Sequence, residues 1–179
     1  MTVHYSYTTI SSCLVMAHPV YIRDMGPKIL QPVSANVNTM RDDIAIRLVH
    51  AWDEVEIANL YRAGGWWKEE YDAGEIPRLI KGSFFFVVAV ERKTGHAVGM
   101  GRVISDGVSD GYIQDLVVLP EYRKTGIGTQ IVSTLVKKCV ERGISWIGLI
   151  AEPGTEKFYL PFGFHPMEGH IPLKFRSDT

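Results

Sequence analysis

Residues 123 to 128 read Arg-Lys-Thr-Gly-Ile-Gly, at the mouth of an apolar-periodic run. Basic residues and glycines in that position suit a phosphate. The first turn of a helix leaves about four backbone N–H groups unpaired at the positive end of its dipole. An anion is a natural occupant of such a turn. Gly126 and Gly128 lack the Cβ that would hold a bulky anion away, and Arg123 and Lys124 add charge. The competing reading is a tight strand–helix turn with solvated basic residues. Two commoner cradles are excluded. The dinucleotide fingerprint fails because its third glycine position is Ile131, and the P-loop fails because no Gly-Lys pair occurs.

The elements that would position this stretch are legible in the pattern. Ile44, Ile46 and Leu48 alternate with Ala45, Arg47 and Val49, which predicts a strand. Asp53 followed by Glu56 resembles a capping box and opens a helix that runs to about Ala63, where Gly64-Gly65 stop it. A second helical segment is expected from Trp66 to Ile80, with Pro77 weakening its latter half. Phe84 to Val90 is a continuous β-favouring run, suited to a strand buried on both faces. Strands follow at His96–Ile104 and Tyr112–Leu119. The helix behind the glycines carries Ile127, Ile131, Val132, Leu135, Val136, Cys139 and Val140 on one face. A buried strand Ser145–Ala151, a short helix Thr155–Leu160 and a final strand pair from Gly163 to Phe175 complete the order β-α-α-β-β-β-α-β-α-β-β.

The segment Arg123-Lys124-Thr125-Gly126-Ile127-Gly128, behind a strand ending in Leu119-Pro120, resembles the acetyl-CoA-binding motif of the GNAT superfamily of N-acetyltransferases. Phe158-Tyr159-Leu160-Pro161-Phe162-Gly163-Phe164 looks like the second hallmark of that family, and the order of elements agrees. The resemblance covers about residues 44 to 175. It implies an α/β (α+β) fold: a mixed, mostly antiparallel twisted sheet flanked by helices. A parallel strand pair, Tyr112–Leu119 and Ser145–Ala151, should splay to bind CoA.

It also implies an activity, the transfer of an acetyl group from acetyl-CoA to a primary amine by direct attack. By the resemblance, the cofactor lies on Leu116, Val117, Val118, Arg123, Lys124, Thr125, Gly126, Ile127, Gly128 and Thr129, with the Leu116 N–H as oxyanion donor. Tyr159 takes the place of the general acid. The positions of the usual base fall on Tyr112 and Gln114, neither of which is a base at neutral pH. Strand alternation puts Tyr112, Gln114 and Leu116 on one face. Asp115, the nearest carboxylate, should then face away unless a bulge re-aims it. Gln114 remains a candidate for holding a water and Asp115 for a substrate or proton-relay role. Bulk water in place of a dedicated base is a further alternative. Trp66 and Trp67, with Tyr112, are the candidate acceptor-binding residues and suit an aryl-alkyl or a cationic amine. Glu69, Glu70 and Asp72 are candidates for selecting a polyamine, against the plainer reading of a solvated face.

The totals bound the rest. The chain has 179 residues, 46% of them hydrophobic, and a formal net charge of −1. That balance argues against nucleic-acid binding. No apolar run reaches the 18 or so residues of a membrane helix, and Cys13 and Cys139 do not form a disulfide framework, so a cytoplasmic protein is expected. The six histidines lack metal-ligand spacing, and no metal is expected. Residues 1–40 have no sustained period and read as an N-terminal extension or arm to a catalytic domain at 41–179. A homodimer with an exchanged arm is one expectation. The acceptor is expected to be a small molecule. The alternatives are a protein lysine or N-terminus, or a non-catalytic acyl-CoA sensor.

Overall fold

A computed structural model describes residues 43–175. The expected arm at 1–40 lies outside the described residues. The elements are β1 (Ile44–Leu48), α1 (Glu54–Ala63), α2 (Ile76–Lys81), β2 (Phe85–Glu91), β3 (Ala97–Ser105), β4 (Asp110–Val118), α3 (Ile127–Glu141), β5 (Trp146–Gly148) and α4 (Glu156–Tyr159). The strands form one sheet in the order β1-β2-β3-β4-β5. Neighbours are antiparallel except β4 and β5, which are parallel. The expected mixed sheet flanked by helices is what forms.

Alternation along β2 explains the two layers. Phe85, Val87 and Ala89 join Ile127, Ile131, Leu135 and Cys139 of α3 in one core cluster. Phe86, Val88 and Val90 join Ile57, Leu60, Ile76 and Ile80 of α1 and α2 in the other. Both faces are covered, which is why the strand reads as an unbroken apolar run.

Four expectations change. The segment from Trp66 to Asp72 is not helical. Asp72 accepts from the Gly74 N–H at 2.8 Å and starts a 3-10 turn, and Pro77 then falls in the first turn of α2, where its missing N–H costs nothing. The strand at 145–151 shrinks to Trp146–Gly148, with Trp146 itself exposed. The strand pair after Gly163 is absent among the described residues. Pro166 and Pro172 lack donors there, and Ile171, Leu173 and Phe175 are exposed. Val140 lies outside the core face of α3.

Only half of the capping box at α1 forms. Asp53 accepts from the Glu56 N–H at 2.9 Å, but the Glu56 side chain turns elsewhere. It accepts from Trp52 Nε1 at 2.7 Å and from the Ala97 N–H at 3.0 Å, and it pairs with His96 Nδ1 at 2.6 Å. This ties the start of α1 to the start of β3. Burial works to raise the Glu56 carboxyl, but hydrogen bonds from His96, Trp52 and Ala97 outweigh it and hold the group below its usual range. The hydrogen bond to Glu56, then its charge, raises His96. A raised histidine contributes stability below its unfolded pKa of about 6.5 and loses it as pH climbs through the folded value. The Tm difference between wild type and His96→Gln should therefore be largest in mildly acidic buffer and shrink on the alkaline side. Differential scanning fluorimetry across pH checks this, and a pH-independent difference would contradict it. The effect is modest, because His96 is mostly exposed.

Candidate active site

The parallel pair supplies the opening. β4 and β5 are in register only from Asp110↔Trp146 to Tyr112↔Gly148, and beyond that point they separate. The cause lies in β4. Met100 faces Val117 and Arg102 faces Gln114, so Asp115 and Leu116 together oppose the single residue Gly101. This is a β-bulge, with Asp115 at φ 55°. Gly101 has no Cβ, and one built there would meet Ile131 Cγ2 at 2.9 Å and Leu116 Cδ1 at 3.4 Å.

The extra residue swaps faces. Leu116 packs with Ile113 and Val118 on the α3 side, whereas Val117 joins the α1 side. Leu116 thus does not share a face with Gln114, as simple alternation would have it. Asp115 does share the side of Gln114, since Arg102 binds both. Its Nε donates to Asp115 Oδ2 at 2.5 Å and its Nη2 to Gln114 Oε1 at 3.1 Å. Tyr61 of α1 donates its hydroxyl to the same Asp115 oxygen at 2.7 Å. The Asp115 carboxylate is therefore committed to two donors. Burial, then the Asp115 charge, raises the Tyr61 phenol well above its ordinary value and keeps it a donor.

A groove of about 810 Å³ runs along Leu116, Val117 and Val118 to Arg123, Lys124, Gly126, Gly128 and Thr129. Its far wall holds Phe158 and Tyr159. Lys124 and Gly126 have left-handed backbone, φ 64° and 90°, and Gly126 caps α3. A Cβ on Gly128 would come within 3.3 Å of Phe158 Cζ, so the floor of the groove is kept open by hydrogen at that position. Ile127 is not among the groove's walls, its side chain being buried in the core beneath the sheet. Thr125 Oγ1 donates to the Tyr122 carbonyl at 2.6 Å and shapes the turn. Arg123 also has a structural duty. Its Nε donates to the Val118 carbonyl at 3.0 Å and its Nη2 to that of Ala63 at 3.4 Å, tying β4 to the end of α1.

The groove meets a cleft of about 290 Å³ lined by Trp66, Tyr112, Gln114, Asp115, Leu149 and Ile150. Leu116, Glu152 and Tyr159 border both spaces. Burial, then the charge of Glu152, raises the Tyr159 phenol above its usual value, so the hydroxyl holds its proton at neutral pH. Glu152 did not emerge from the sequence reading. Its main chain is fixed by Thr155, whose N–H and Oγ1 donate to the Glu152 carbonyl at 2.9 and 2.7 Å. The available signal was position: ligands gather beyond the carboxyl ends of parallel strands, and Glu152 lies there, just after β5.

Trp66 also borders a cavity of about 720 Å³, with Tyr61, Trp67, Tyr71, Ile76, Leu79 and Arg102 among its walls. Trp67 packs edge-on against Tyr71, with centroids 5.8 Å apart, and Tyr61 against Trp66 at 6.3 Å. Arg62 already covers Trp67 at 5.0 Å from its ring centroid. Glu70 and Asp72 reach this cavity, whereas Glu69 is not among its walls. No group of three or more His, Cys, Asp or Glu positioned for a metal occurs among the described residues, nor any helix able to cross a membrane.

The chain is similar to several known proteins. An uncharacterized N-acetyltransferase of Pyropia yezoensis is 29% identical over 61% of this chain and 63% of its own length. A chloroplastic serotonin N-acetyltransferase of Oryza sativa is 36% identical over 39% of this chain and 35% of its own. The matches thus span about two thirds or less of these relatives. A GNAT-family acetyltransferase of Streptococcus pneumoniae superposes with a TM-score of 0.60 at 26% identity, covering 76% of this chain and 99% of that one. The cradle, the splayed strands and the tyrosine facing them all fall within residues 49–164, which match the acetyltransferase (GNAT) family as a whole, and the chain belongs to that family.

Proposed function

We propose that the chain is an N-acetyltransferase that uses acetyl-CoA to acetylate the primary amine of a small molecule carrying a flat apolar group. The observation that supports the acceptor class is the sequence of spaces: cofactor groove, narrow polar cleft, then aromatic cavity, with Trp66 joining the last two. An amine in the cleft would leave its apolar part in the cavity. The acidic residues argue less well for a polyamine. Asp72 is used as a cap and Glu70 lies 4.0 Å from Lys68 Nζ. The face of Trp67 that a cationic amine would seek is taken by Arg62.

The groove fits acetyl-CoA. Main-chain N–H groups from Lys124 to Thr129 would hold its pyrophosphate, and Leu116 to Val118 would pair with its pantetheine arm. The bound thioester supplies an acyl group open to direct attack by an amine. The chain's own contributions are four. Trp66 and the cavity hold the acceptor, Glu152 takes a proton from the acceptor's ammonium and so frees the amine lone pair that attacks, the Leu116 N–H meets the developing oxyanion, and Tyr159 gives its proton to the leaving thiolate. The nitrogen–carbon bond forms as the carbon–sulfur bond breaks, and the products are an amide and free CoA.

A thiol-release assay with acetyl-CoA tests the reading. Aryl-alkyl amines should outperform spermidine, aminosugars and lysine peptides. Trp66→Ala should raise the KM for the aryl-alkyl amine by about tenfold, the scale of losing one large apolar contact, with little change for acetyl-CoA. A preference for spermidine or for a peptide would overturn the acceptor class. Acetyl-CoA binding without any amine-dependent release would indicate a sensor.

A further inference from the structure

Among the described residues, Asp115 and Lys124 alone are non-glycine residues with left-handed backbone. Lys124 borders the cofactor groove and Asp115 the adjoining cleft. Such conformations persist only where the surroundings over-determine them. For Asp115 the surroundings are Tyr61 from α1 and Arg102 from β3, both donating to Oδ2. Arg102 and Asp115 are themselves largely buried, with side chains 15% and 22% exposed. A largely buried ion pair is a weak source of stability, and this one joins β3 to the bulged residue of β4. The next residue along the chain is Leu116, which borders both the groove and the cleft. The direction of its N–H is set by the backbone torsions of Asp115.

We propose that Tyr61 and Arg102 are positioning residues: by clamping the Asp115 carboxylate they fix the bulge and so aim the Leu116 N–H at the developing oxyanion. The proposal rests on the acetyltransferase reading above. It assigns Asp115 a geometric task in place of proton relay. It also links acceptor and acyl centre, because Tyr61 and Arg102 form part of the aromatic cavity wall.

The test compares Tyr61→Phe, Arg102→Gln, Asp115→Ala and Asp115→Asn. For each, kcat and both KM values are measured per active site, along with acetyl-CoA affinity by calorimetry and Tm. Misaiming a group in the reacting centre costs up to about 100-fold. The first three variants should lower kcat by about tenfold or more, with acetyl-CoA affinity within about threefold of wild type. Asp115→Asn should recover most of that loss, because asparagine tolerates left-handed backbone and accepts the same hydrogen bonds. Its pH–rate profile should keep the wild-type shape. If Asn is as damaging as Ala and the acidic limb of the profile vanishes, Asp115 is a base and the proposal falls. It also falls if the clamp variants lower only Tm and leave kcat per active site intact. A second readout does not depend on turnover. In nitrogen-15 labelled protein the Leu116 amide resonance should shift on saturation with acetyl-CoA, and in saturated Tyr61→Phe the size or direction of that shift should change; a shift identical to wild type would overturn the clamp. A wild-type chain with no amine-dependent release would defeat the enzymatic reading, while the Leu116 response would still decide the clamp.

Discussion

Glu152→Gln should lower kcat/KM for the amine by about 100-fold or more at neutral pH, within the 10²–10⁴ range of a lost general base. The substitution keeps the shape of the side chain and removes its ability to take a proton. Glu152 borders both the groove and the cleft and is close enough to Tyr159 for its charge to raise the phenol. Among the described residues the other carboxylate lining the cleft, Asp115, is held by Arg102 and Tyr61. The loss should shrink as pH rises, because an amine deprotonated by solvent no longer needs the base. Acetyl-CoA affinity should be retained, as the pyrophosphate cradle lies on α3 and the preceding turn. Initial rates over a pH series, with calorimetry for acetyl-CoA, check each part. A variant with full activity at neutral pH would remove Glu152 from proton transfer and favour solvent as the base.

How much of this was legible beforehand differs by element. The phosphate cradle and its helix are local features. Glycines, basic residues and a 3.6-residue period all lie within about twenty residues, and α3 forms at Ile127–Glu141 as the pattern implies. β2 is equally plain, because a strand covered on both faces needs apolar residues at every position. The helix expected through Trp66–Asp72 failed for a local reason too: Asp72 and Pro77 together start a new helical segment further on. The roles around the bulge were hidden for a different reason. Alternation predicts which way Asp115 points only if every residue is paired, and one unpaired residue reverses the faces of Leu116 and Val117. Tyr61 and Arg102, 54 and 13 residues away from Asp115, carry no signal in sequence that they meet there. Glu152 is similar. Its importance comes from the divergence of β4 and β5, which depends on that same bulge.

Tyr159→Phe should lower kcat by about 100-fold or more while acetyl-CoA binding stays nearly unchanged, in line with the loss of a positioned general acid. The ring would keep its packing, edge-on to Phe158 at 4.9 Å and to Phe164 at 6.1 Å, so the fold has little reason to respond. What disappears is one proton held at the junction of groove and cleft. Burial and the Glu152 charge both raise the phenol, and both act in the same direction for catalysis. A tyrosine with a raised pKa stays protonated across the working range, so the alkaline fall in kcat should lie on the alkaline side of where an unperturbed phenol would place it. The two groups also depend on each other. The Glu152 charge, after burial, helps to raise the Tyr159 phenol, so the proton donor is favoured by its proposed partner in proton transfer. Glu152→Gln should then move the alkaline fall of kcat to lower pH, since the charge that raises the phenol is gone. In Tyr159→Phe that fall should be absent altogether. Finding the same alkaline limb in wild type and Tyr159→Phe would mean another group protonates the thiolate.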